Sequence, residues 1–206
     1  MPGKTYVGYG SLISPTVVAG YFTDNRNEKV KQKYMDKTGY EQPGEIVLDE
    51  FLEKWSSIQD EVEILPVRIQ RLRRSYSYDS GGSLMLSVRE KSGSWINAVV
   101  IKNLPEKQRE ILEDVESSYL RKEIRLEDIE VYDSCDAKID DEPVLFLADP
   151  EGEKFDVEGE INMVYHKTIL AGIEILGGIY GEEFAEEFKQ DFLETTFHGG
   201  EPLVEK

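Results

Sequence analysis

Two short stretches hold residue types suited to joint chemistry. Near the start, Tyr6-Val7-Gly8-Tyr9-Gly10-Ser11-Leu12-Ile13 reads as a short strand that breaks into a glycine turn. Tyr6, Val7 and Tyr9 favour extended backbone. Strands normally avoid Gly8 and Gly10 and tolerate them where the chain turns sharply or sits close to something else. A strand ending on Gly10-Ser11 leaves several backbone N–H groups pointing one way, a cradle for an anion such as a carboxylate. Roughly a hundred residues later, Glu116-Ser117-Ser118-Tyr119-Leu120-Arg121 places a carboxylate at the end of a helical pattern. An anion cradle with one carboxylate base is a small but complete chemical unit.

Several elements must position these groups. The pattern predicts a strand over 4–9 and a short helix opened by Ser14-Pro15 that carries Val17, Val18, Tyr21 and Phe22. Residues 24–37 are dense in charge and read as a solvated helix or loop. Val47, Leu48, Phe51, Leu52 and Trp55 recur at helical spacing after a Gln42-Pro43-Gly44 turn signal. Strands follow near 64–78, 83–90 and 95–102, separated by Ser80-Gly81-Gly82 and Ser92-Gly93-Ser94, breaks that suit hairpins. Asn103-Leu104-Pro105 then starts a helix, with Asn103 as N-cap and Pro105 in its first turn. Strands resume near 122–132 and 143–148, the acidic stretch 149–160 reads as a loop, and helices over 161–177 and 181–195 close the sequence.

This order is not a regular strand–helix alternation, which argues against a doubly wound parallel sheet. Hairpins grouped in the middle favour an α+β fold with a mixed or largely antiparallel sheet, an arrangement with which a small barrel flanked by helices is compatible. A chain of 206 residues has room for a substantial core, and the expected organisation is one domain over 1–206 with a helical insertion at about 24–62.

The helix predicted over 105–119 puts the carboxylate in context. At about 100° per residue, Ile111, Leu112, Val115 and Tyr119 form one apolar stripe, and Glu116 falls at its shoulder. Partial burial there raises the pKa of a carboxyl group and makes it a better base. The alternative is a boundary glutamate that pairs with Arg121 or another neighbour.

Composition narrows the field. The formal charge of −18 argues against nucleic acid, which needs a basic footprint. No apolar run reaches bilayer length, and Met1-Pro2-Gly3-Lys4 leads into the first strand with no signal-peptide core. Cys135 is the single cysteine, so no internal disulfide is formed and a reducing, cytoplasmic setting is expected. His166 and His198 lack the spacing of a metal site, and His166 reads as structural. Gly8-Tyr9-Gly10 is half of a dinucleotide fingerprint, without its third glycine. The chain's one positive concentration is Arg68-Ile69-Gln70-Arg71-Leu72-Arg73-Arg74. As a strand it sets Arg71 and Arg73 on one face, with Arg68 and Arg74 on the other. Its arginines either pair with surrounding carboxylates or send one side chain to grip a second carboxylate of a substrate.

The Tyr9-Gly10-Ser11-Leu12-Ile13 loop and the Glu116-x-x-Tyr119-x-Arg121 run resemble the gamma-glutamylcyclotransferase superfamily, including its glutathione-specific ChaC-type branch. Ile96 to Ile101 followed by Asn103-Leu104-Pro105 is similar to the strand and turn that lead into that family's catalytic helix. Gly177 to Gly181 and Asp191 to Phe197 resemble tails in the group. Residues 24–62 match no part of it, and Ser14 stands where the ChaC-type branch often has an aromatic residue. The resemblance implies a small mixed barrel and an intramolecular aminolysis: the α-amino group of a γ-glutamyl unit attacks its own γ-carbonyl, releasing 5-oxoproline and an amine. It implies Glu116 as general acid/base and the backbone N–H groups of Gly10, Ser11 and Leu12 as holders of the substrate α-carboxylate. Tyr9 would line the pocket, and Tyr119 would bond the substrate or orient Glu116. No metal or redox cofactor is implied, and the partner is a small-molecule γ-glutamyl substrate, with no nucleic acid and no membrane. Glutathione, γ-glutamyl amino acids and γ-glutamyl amines all fit, and no oligomeric state is implied. The rival reading is a non-catalytic ligand-binding or protein-interaction module on the same fold, for which exposed Phe51 and Trp55 would supply a partner surface.

Overall fold

The computed structural model describes residues 4–23, 43–79, 82–135, 137–148, 159–198 and 201–202, excepting the side chains of 43–50, 197, 198, 201 and 202. The sequence expectations for 24–37 and most of those for 149–160 therefore lie outside the described residues. Strand β1 (Tyr6–Gly8) leads through a 3-10 turn, Ser11–Ile13, into α1 (Pro15–Gly20). After α2 (Pro43–Ile58) come two long strands, β2 (Glu63–Asp79) and β3 (Leu84–Lys102). Helix α3 (Glu106–Val115), β4 (Leu120–Glu123), β5 (Ile129–Val131) and β6 (Val144–Leu147) follow. Helices α4 (Met163–Tyr180) and α5 (Glu182–Thr195) precede β7 (Thr196–His198) and β8 (Glu201–Pro202).

All strands join one eight-stranded sheet ordered β4-β6-β1-β3-β2-β7-β8, with β5 on β2 beside Val67–Ile69. The pairings are mostly antiparallel, with β1–β6 and β2–β7 parallel. The α+β class and the mixed, largely antiparallel sheet are as expected. These ladders do not close a barrel: β4, at one end of the order, pairs neither with β8 at the other end nor with β5.

Alternation along the strands divides the apolar residues between two cores. Tyr6, Ile64, Val99, Ile101 and Phe146 face the helices and meet Tyr165, Ile169, Ile173, Phe184, Phe188 and Phe192. Val7, Leu65, Val67, Ile69, Ala98, Val100 and Leu145 face the other way. That second cluster contains no residue of a helix among the described residues; Ile124, Ala137 and Ile139, from the connections, pack with the strand residues.

Four local readings turn out differently in the structure. Ser92-Gly93-Ser94 does not separate two strands; β3 runs through it for 19 residues. The register passes from Gln70↔Trp95 to Leu72↔Glu90, so 91–94 bulge opposite Arg71, with Gly93 at φ 75° and Arg71 at φ 63°. Asn103 is not an N-cap: it sits at φ 62° in the turn out of β3, and Pro105 takes the capping position of α3. Helix α3 stops at Val115 rather than at 119, because Leu120 must enter β4 opposite Leu147 and Ser117-Ser118 hold a helix poorly. Phe51 and Trp55 are buried, with Phe51 set against the bare face of Gly20 in α1, so they offer no partner surface.

Candidate active site

The loop after β1 folds back on its own strand. Gly8 permits this, since a Cβ there would stand 2.7 Å from Leu12 Cβ and 2.8 Å from the Leu12 carbonyl group. The turn is held by Ile13 N–H donating to the Gly10 carbonyl at 2.9 Å and Ser14 N–H to the Ser11 carbonyl at 3.0 Å. Those bonds begin at Ile13, so the turn does not consume the N–H groups of Gly10, Ser11 and Leu12.

Glu116 closes α3 and is fixed at both ends of its backbone. Its N–H donates to the Leu112 carbonyl and its carbonyl accepts from Tyr119 N–H, each at 3.0 Å. Tyr119 therefore lies in the turn after α3 rather than on the helix stripe. Its ring centroid is 5.7 Å from that of Tyr78. Glu113, one turn before Glu116, ties α3 to the sheet by accepting from Tyr6 Oη at 2.8 Å, Lys4 Nζ at 3.3 Å and Arg121 Nη2 at 3.1 Å. The helix bearing the carboxylate is thus docked on the strand that leads to the cradle.

Tyr9, Gly10, Ser11, Leu12, Glu116 and Tyr119 line one cavity of about 90 Å³. Val7, Met85, Leu86, Phe146 and Tyr165 complete its wall, and Glu116 is the only carboxyl group in it among the described residues. Burial first, and the negative field of Glu116 after it, push the Tyr9 phenol well above its ordinary pKa. Burial, then Tyr9 and Glu116, do the same for Tyr119. Both phenols are consequently neutral O–H donors around a single carboxyl group.

Tyr165 is a residue that sequence reasoning missed. Asn162 caps α4 by accepting from Tyr165 N–H at 3.0 Å and is itself anchored to the Leu84 carbonyl at 2.9 Å. This brings the Tyr165 hydroxyl against Gly10, where a Cβ would overlap it. Only the Asn162 capping signal was available in the sequence, and it does not say which way the ring turns. The neighbouring His166 is structural as expected, buried with its Nδ1 2.7 Å from Tyr76 Oη.

The arginine run is divided by environment. Arg68 meets Asp191 at 3.0 Å and Glu187 at 2.6 Å, and Arg71 pairs with Asp128. Arg68 and Arg74 both reach α5, as shared-face spacing predicts, but Arg74 is enclosed by neutral acceptors. None of these arginines lines the cavity with Glu116. A larger cleft of about 510 Å³ between β5 and the start of α5 contains Arg68, Glu130, Tyr132 and Glu187 and no residue of the Gly10 loop.

No protein-family model and no curated protein matches the chain. Solved structures do. One is described as a gamma-glutamyl cyclotransferase, with 13% identity over 98% of this chain and 90% of that one, and a TM-score of 0.49. A glutathione-specific gamma-glutamyl cyclotransferase from yeast has 12% identity over 91% of this chain and 97% of its own, with a TM-score of 0.46. Gamma-glutamyl cyclotransferases are thus among the structures this chain resembles. YkqA from Bacillus subtilis has 14% identity over 94% of this chain and a TM-score of 0.47, and this chain spans only 55% of its length.

Proposed function

We propose that the chain is a metal-independent gamma-glutamyl cyclotransferase that releases 5-oxoproline from a small γ-glutamyl peptide, amino acid or amine. The observation that carries this reading is the meeting of Glu116 with Tyr9, Gly10, Ser11, Leu12 and Tyr119 around one cavity. The substrate α-carboxylate takes the N–H groups of the loop. Its α-amino nitrogen attacks the γ-carbonyl carbon, a C–N bond closes the five-membered lactam, and the C–N bond to the leaving amine breaks. Glu116 accepts the proton that the attacking nitrogen loses and returns one to the leaving nitrogen, so no water is consumed. Nucleophile and electrophile share one molecule, and holding it folded in a near-attack shape supplies much of the acceleration. Tyr9 and Tyr119, neutral hydroxyls beside Glu116, bond the substrate and orient the carboxyl group.

The test is incubation of the purified protein with a panel of γ-glutamyl compounds, followed by mass spectrometry for 5-oxoproline. Release from one member, abolished in Glu116→Gln, establishes reaction and base and identifies the leaving amine. Binding without release points to a ligand-binding module. The absence of both binding and release overturns the proposal.

A further inference from the structure

Arg74 has no exposed surface (0%). A buried charge is normally met by an opposite one. Here every hydrogen-bond acceptor among the described residues is neutral. Arg74 Nε donates to Thr196 Oγ1 at 2.9 Å. Nη1 donates to the Tyr9 carbonyl at 3.2 Å and the Asn97 carbonyl at 2.8 Å. Nη2 donates to Asn97 Oδ1 at 2.7 Å, Thr195 Oγ1 at 2.9 Å and the Phe192 carbonyl at 3.3 Å. Asp191, whose field Arg74 feels, is bonded instead by Arg68 and Tyr132. Burial pushes the Arg74 pKa down to about 9, which still leaves the guanidinium charged at neutral pH.

The contact with Tyr9 gives this arrangement a purpose. The Tyr9 carbonyl and the Gly10 N–H belong to one planar trans peptide and point in opposite directions. Turning the carbonyl onto Arg74 therefore turns the Gly10 N–H away from it. Arg74 is not among the residues lining the cavity that Tyr9 and Gly10 line. A charged donor on the carbonyl also polarises the peptide and strengthens its N–H as a donor. With no carboxylate bonded to it, its positive field is left to act on an anion at the loop.

We propose that Arg74 is a positioning residue for the anion cradle, setting the direction of the Tyr9–Gly10 peptide and lending positive potential to the site that takes the substrate carboxylate. The same guanidinium grips Phe192, Thr195 and Thr196, so the cradle is locked to the end of α5 and the start of β7. This rests on the cyclotransferase reading for the identity of the anion, but not for the geometry of the peptide.

Two variants test it. Arg74→Lys keeps the charge but has no planar fork to span these acceptors. Asn97→Asp keeps the arginine and places a carboxylate on it, cancelling the field. For the compound that yields 5-oxoproline, KM should rise about tenfold or more in both, with kcat falling less than about threefold, the mark of lost ground-state binding. The Gly10 amide resonance should move in Arg74→Lys, read by two-dimensional NMR. Folded variants with wild-type KM and, in Arg74→Lys, an unmoved Gly10 amide overturn the proposal. Should Arg74→Lys not fold, KM in Asn97→Asp decides it. If the wild-type protein turns over no γ-glutamyl compound, the cyclotransferase reading fails, and the affinity of 5-oxoproline itself in wild type and Asn97→Asp replaces KM. Equal affinities then overturn the field, and an unmoved Gly10 amide in Arg74→Lys overturns the positioning.

Discussion

The hydroxyl of Tyr165 occupies the space that a Cβ on residue 10 would need. Gly10 therefore makes room for a hydroxyl that approaches from a helix far away in the chain. Gly10→Ala should cost about 1–3 kcal/mol of stability through overpacking and displace the cradle, with a large loss of kcat/KM. Tyr165→Phe removes the obstructing oxygen, so the double variant should recover part of what Gly10→Ala loses. A double-mutant cycle in melting temperature and kcat/KM measures the coupling. Purely additive effects would show that the two residues do not compete for this space.

Glu116→Gln preserves shape and removes the base. Its turnover should fall about 10²- to 10⁴-fold, with substrate affinity retained and the melting temperature close to wild type. Near-normal turnover in the folded variant would remove Glu116 as the acid/base.

Glu113 predicts an acid-sensitive docking of α3. Burial alone would raise its pKa, but the bonds from Tyr6 and Lys4 and the charges of Lys4 and Arg121 outweigh burial and hold it below the usual 4.5. A depressed carboxyl pKa means that the unfolded chain binds more protons, so stability rises with pH across this window. The contribution is complete above the ordinary carboxylate value and is lost as pH falls through the lowered one. Thermal melts from neutral to acid pH should show wild type more stable than Glu113→Gln at pH 7, with the gap shrinking in acid. A gap independent of pH would contradict this. Lys4 and Arg121 are substantially exposed, so salt should narrow the gap at pH 7.

Charge reversal within the arginine run separates support from recognition. Arg68→Glu meets Glu130, Glu187 and Asp191, and should lower the melting temperature. Arg71→Glu faces Glu127 and Asp128 on the surface and should cost less. Neither should change KM, since neither residue lines the cavity with Glu116. A raised KM in a folded variant would bring that arginine into substrate binding.

Much of the frame was legible from local rules. Strand formers running into Gly8-Tyr9-Gly10, the apolar spacing of α2, the two closing helices and the antiparallel hairpin all follow from neighbours within a turn or a strand length. The Gly10 loop and Glu116 were visible as residue types, and the fold sets both around one cavity. The continuous course of β3 was not legible, since a glycine between serines marks a bulge as readily as a turn and only the partner strand chooses. The end of α3 at Val115 was set by the need to pair Leu120 with Leu147.

The sequence by itself determined which residue types are present near one another in the chain and most of the segments that become helix or strand. Only the tertiary structure decided that Tyr165 would stand over Gly10, and that of four arginines in one strand Arg74 would be enclosed and turned onto the Tyr9 carbonyl. The physical reason is that burial and hydrogen-bond direction belong to surfaces that come together. Arg68 and Arg74 are alike in the chain and differ in what folds against them: carboxylates of α5 and β5 for one, and neutral oxygens of Tyr9, Asn97, Phe192, Thr195 and Thr196 for the other.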